Sequence, residues 1–159
     1  MASELRVDRI IPVDGVPTGG GGGVIQVVQS QVTAQDEVTT ATTWTDTTLT
    51  ASITPKFSSS KILVNCHFLS TIGDAQTDLH ARYRINRGGV GICSARHRTY
   101  DYGGNGVYNV VPVSMTFLDS PATTSSVTYT LQFYLASGTR VRISEGSENS
   151  SLILMEVSG

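Results

Sequence analysis

The groups in this chain that can do chemistry are few. They are His67, His80 and His97, the cysteines Cys66 and Cys93, 13 acidic residues, and a run of five glycines at 19–23. A glycine-rich loop cradles phosphate when it has the form GxxxxGK[ST] and leads into a helix whose positive end meets the anion. Gly23 is followed by Val24-Ile25-Gln26, which supplies no lysine, no hydroxyl and no helix. A dinucleotide fingerprint fails in the same way, because a strand pattern follows the glycines. The run reads as a connector.

Nucleophilic and metal chemistry find equally little support. No serine lies in a GxSxG element, the strand–turn–helix device that exposes a nucleophile. His67 and His80 fall in alternating apolar/polar stretches, on the side expected to face solvent. Cys66 and His67 are neighbours and so point to opposite faces of a strand, which argues against shared metal ligation. One bridge could join the two cysteines, but with no secretory leader both are expected as thiols, Cys66 buried. Carboxylate pairs for glycoside hydrolysis come from distant strands and leave no local signature, and most of the acids here fall in loop patterns. The expectation is a protein without enzymatic activity, metal or cofactor.

The segment 87–106, RGGVGICSARHRTYDYGGNG, is richer. It gathers Arg96, His97, Arg98, Tyr100 and Tyr102 among six glycines. Arginine and tyrosine present rigid area with hydrogen-bonding tips, which suits recognition. Read as a loop between two strong strands, it is longer than a connection requires, and it becomes the candidate recognition loop. Packing on a neighbouring subunit or on its own sandwich is the plainer reading of the same residues.

The elements that must position these groups are strands. Leu79, Ala81, Tyr83 and Ile85 alternate with His80, Arg82, Arg84 and Asn86, the period of a half-buried strand. The same period runs through Val24–Gln29, Thr48–Ile53, Lys61–Leu69, Val107–Leu118 and Val127–Ala136. Shorter stretches follow at Thr139–Ser144 and Ser151–Val157. No ten-residue window has helical periodicity. About eight half-buried strands imply an all-β antiparallel sandwich, with a jelly roll as leading candidate and a barrel-like closure as the alternative. The threonine-rich stretch 39–50 reads as an exposed strand or loop.

Bulk properties agree. A chain of 159 residues can bury roughly 70% of its unfolded surface, enough to fold without a metal or disulfide staple. Charged residues make up 15% and the net charge is −2, so nothing in the bulk electrostatics draws the chain to nucleic acid or an acidic membrane. No run of about 18 apolar residues marks a membrane span. Residues 1–18 read as an extended arm, stiffened by Pro12 and Pro17. Its Leu5, Val7, Ile10 and Ile11 are too apolar for a free tail and are expected to dock on another surface or pair with copies of themselves. The domain plan is therefore arm 1–18, glycine linker 19–23, and β-sandwich 24–159.

SELRVDRI with its following Pro/Gly break, LTASITPKFSSSKILVNC at 49–66 and SSLILMEV at 150–157 resemble structural proteins of tailed phages, especially those of marine cyanobacterial viruses. The resemblance covers roughly the first 25 residues and two later patches, and leaves 87–106 unmatched. It implies a non-enzymatic virion surface protein assembled in the host cytoplasm: a capsid decoration, knob or fibre component. The arm would bind other capsid or tail proteins, and the displayed domain would resemble the jelly rolls of tumour necrosis factor and complement, often trimeric. The alternative is a tail-fibre tip that reads a host receptor or glycan through 87–106. Apolar residues on both faces of 107–118 (Val110 and Leu118 against Val111 and Phe117) hint at subunit contacts.

Overall fold

The computed structural model describes residues 23–33, 36–39, 41–74, 78–100, 106–144 and 148–158. The arm with Leu5, Val7, Ile10 and Ile11, most of the glycine run and Tyr102 lie outside the described residues.

Among the described residues, ten strands form two antiparallel sheets. They are β1 (Val24–Val32), β2 (Asp36–Thr39), β3 (Thr45–Ile53), β4 (Lys61–Asp74), β5 (Asp78–Arg87), β6 (Val90–Tyr100), β7 (Val107–Asp119), β8 (Val127–Ser137), β9 (Arg140–Ile143) and β10 (Ser150–Val157). The six-stranded sheet is organised by the long β4. Its first half pairs with β10 and its second half with β9, while β7 runs along its whole other edge. Outside these, β1 pairs with β10 and β2 with β9. The other sheet has the order β3-β8-β5-β6. The sheets meet at both flanks, β1 against β3 and β6 against β7.

The core lies between the sheets and follows the period-two pattern read from the sequence. Leu79, Ala81, Tyr83 and Ile85 of β5 are all buried, as are Tyr129, Leu131, Phe133 and Leu135 of β8. From the opposite sheet come Ile62, Val64, Cys66 and Phe68 of β4 and Leu152 and Leu154 of β10. The Phe68 and Tyr83 rings meet across the gap at 4.8 Å between centroids. Cys66 and Cys93 are both free thiols, and burial pushes the Cys66 thiol up to about 12.

Two buried carboxylates fasten the crossovers. Glu156 on β10 accepts from Gln26 Nε2 at 2.5 Å and from the Lys56 backbone N–H at 2.6 Å. Gln26 also donates to the Thr54 carbonyl at 2.7 Å. This set pins the 54–60 connection, which carries the chain from β3 in one sheet to β4 in the other. Burial pushes the Glu156 carboxyl up, and the donors around it more than offset that, leaving it below the ordinary carboxylate value. At the same end of β4, beside its other edge, Asp119 accepts from Arg87 Nη1 and from the Tyr129 hydroxyl, each at 2.7 Å.

The segment 87–106 departs from expectation. It is largely not a loop. Arg87 and Val90 face each other across a two-residue Gly88-Gly89 turn with φ of 57° and 93°, the doubly positive geometry favoured by tight hairpins. The chain then continues as β6. Its inward side carries Cys93, Ala95 and His97, small or polar residues that conceal the alternation.

Candidate functional site

The candidate recognition residues separate into different environments. His97 is 5% exposed and points between the sheets, because period two sends it inward while Arg96 and Arg98 go out. Its Nδ1 lies 2.6 Å from Ser70 Oγ and its Nε2 lies 2.8 Å from Asn109 Oδ1. Ser70 Oγ also meets the Tyr83 hydroxyl. A neutral imidazole satisfies the set: Tyr83 donates to Ser70, Ser70 to Nδ1, and Nε2–H to Asn109. The network ties β4, β5, β6 and β7 together across both sheets. The order hydroxyl, imidazole, amide is that of a nucleophilic triad by residue type. However, Ser70 is fully buried and its oxygen is already engaged, so a substrate carbonyl has no approach.

Burial holds the His97 pKa below its ordinary 6.5, with the Asn109 hydrogen bond opposing more weakly. The unfolded chain therefore binds the proton more readily than the native one. This contribution to stability is complete above about pH 6.5 and is lost as pH falls from there toward the depressed native value. Thermal midpoints measured from about pH 8 down to about pH 5 should fall through the lower half of that range. The slope should flatten in His97→Gln, and an equal slope in that variant would refute the assignment. His80 shifts in the same direction through burial and the charges of Arg82 and Arg98, so some slope should persist.

Arg98 and Tyr100 are exposed but engaged. Arg98 makes a two-pronged pair with Asp78, at 2.9 and 2.7 Å, and lies 4.8 Å over the Tyr100 ring. Such an exposed pair contributes little to stability.

Arg96 belongs to a different cluster, on the outer face of the four-stranded sheet. It stands directly opposite Arg82 on β5, and Arg82 stands opposite Tyr134 on β8. Trp44, just before β3, meets Tyr134 edge to face at 4.7 Å. Arg84 lies 4.4 Å over Trp44, and its Nε donates to Gln132 Oε1 at 2.6 Å. Gln132 in turn donates to Asp46 at 2.5 Å. Gly91 makes room for this: a Cβ there would stand 2.8 Å from Arg84 Cδ. The face holds two adjoining depressions of about 330 and 370 Å³ that share Trp44 and Ser94. Sequence reading placed Arg82 and Arg84 on the outward side of β5 but missed Trp44 and Tyr134 as their neighbours.

The outer face of the six-stranded sheet has the opposite character. Register places Val27, Met155, Leu63 and Leu118 in one straight row across β1, β10, β4 and β7. Val27 is 56% exposed and Leu118 48%. Beyond this row the surface turns polar. Asn65 accepts from Thr116 at 2.7 Å, and His67 pairs with Ser114 at 2.9 Å.

Fold and surfaces together define an antiparallel two-sheet β-sandwich with an apolar row on one outer face and a basic-aromatic cluster on the other. No family model matches the chain, and no curated protein does.

Proposed function

We propose that this chain is a non-enzymatic structural protein of a tailed-phage virion. It is a short surface appendage, a capsid decoration or fibre knob, held to other virion proteins by residues 1–18 and displaying the sandwich. The observation that carries the reading is the apolar row Val27–Met155–Leu63–Leu118. Four aligned apolar side chains, two of them about half exposed, form a patch, and burying it against copies of the chain returns about 25 cal/mol per Å². Farther along the same face of the edge strand β7, past Thr116 and Ser114, Tyr108 and Val110 are also exposed. Self-association through this face leaves the basic-aromatic face outward.

The resemblance of SELRVDRI and the two later patches to phage attachment and knob segments supports the virion assignment, and the jelly-roll comparison favours a trimer. Light scattering on the purified chain tests the assembly: three chain masses are expected. A single chain mass at the concentrations of a scattering experiment would remove the reading of the apolar row.

A further inference from the structure

Among the described residues, four arginines stand on the outer face of the four-stranded sheet, and two of them have a structural occupation. Arg98 is neutralised by Asp78, and Arg84 is held by Gln132 and the Trp44 ring. Arg82 and Arg96 are different. They are exposed and directly opposed across β5 and β6, and among the described residues neither has a hydrogen-bond acceptor or a carboxylate within ion-pair distance. Like charges directly opposite each other on neighbouring strands are destabilising, so this pairing is not explained by the fold. A bound anion between the two guanidinium groups removes the repulsion and makes two forked hydrogen-bonded contacts.

The surroundings specify more than a bare anion. The pair opens into the depression of about 330 Å³ rimmed by Trp44 and Tyr134, with Ser94 leading into the second lobe. Aromatic rims pack the C–H faces of a ring, and an exposed hydroxyl meets hydroxyls. Nucleic acid fits poorly: the chain has a net charge of −2 and only two lysines, too little for contacts spread along a phosphate backbone.

We propose that this trough binds an acidic saccharide, with a sugar carboxylate clamped between Arg82 and Arg96 and the ring against Trp44 and Tyr134. The inference stands independently of the virion assignment. It moves recognition from the expected loop to the sheet face, retaining Arg96 and excluding His97.

Calorimetric titration of the full chain with a tetragalacturonate, at low salt, tests it. Binding is expected, with a tetramer of neutral galactose at least about tenfold weaker. Arg82→Ala/Arg96→Ala should also bind at least about tenfold more weakly, the loss expected for charge-assisted hydrogen bonds. Arg82→Gln/Arg96→Gln should behave alike, with circular dichroism confirming a native fold in both. Without ligand, both double variants should melt higher than wild type. Absence of binding, equal binding of the neutral tetramer, equal binding of acetate alone, affinity unchanged in the double variants, or tighter binding of a single-stranded oligonucleotide would each overturn the proposal.

Discussion

Asp119→Ala is expected to destabilise the sandwich by about 3 kcal/mol. Asp119 is buried at the end of β7 and receives both Arg87, from the β5–β6 hairpin, and the hydroxyl of the fully buried Tyr129. Removing the carboxylate strands a phenol hydroxyl in the core and an arginine that is only partly exposed. A buried group left without its partner costs more than the intact pair contributed. Burial and the Asp119 hydrogen bond both hold the Tyr129 hydroxyl well above its ordinary pKa, so ionisation offers it no escape. For a chain of this size the loss corresponds to a fall in melting temperature of about 10 °C. Adding Tyr129→Phe to Asp119→Ala should restore part of it. A shift of under about 2 °C for Asp119→Ala would show that the cluster is not a fastening point.

The second large effect is expected on assembly. Leu63 sits at the centre of the apolar row, between Met155 and Leu118, with its side chain outward. Leu63→Glu therefore leaves the core of each sandwich intact but places an unpaired carboxylate on the face proposed to join copies of the chain. Loss of a buried leucine and burial of a charge together should weaken association by about a thousandfold, or ~4 kcal/mol. Sedimentation should show a monomer where wild type is assembled, with unchanged far-ultraviolet dichroism. Ser114→Glu, on the polar part of the same face, should leave assembly within a few-fold of wild type. Equal effects of the two substitutions would place the contact elsewhere.

The all-β class and most of the core were legible from period two alone. Strands such as β5 and β8 carry large apolar residues on one side only, and the structure buries those sides. β6 was not legible, because an edge strand needs less apolar bulk and its inward residues are Cys93, Ala95 and His97. β2 is only four residues long and leaves too few positions for a pattern.

The basic-aromatic face was hidden for a different reason. Continuing the hairpin register from Arg87 and Val90 without interruption would set Arg82 opposite Ala95. A bulge beside Ile85 and Asn86 inserts one residue, so Arg96 arrives opposite Arg82 instead, and bulges do not announce themselves in one sequence. Likewise Trp44 meets Tyr134 only because β3 pairs with β8, a partnership 90 residues apart in the chain. The apolar row on the other face needs the registers of four strands at once, although the exposed sides of Val110 and Leu118 were visible in the sequence of β7.

The role proposed for the chain is that of a surface part of a virion. Its most direct test is gold-labelled antibody imaging of purified phage particles from cultures making either the full chain or one lacking residues 1–18. Label on the outside of intact particles, lost when residues 1–18 are removed, is the predicted result. Particles without label in the full-length culture, or equal label with and without the arm, would contradict it.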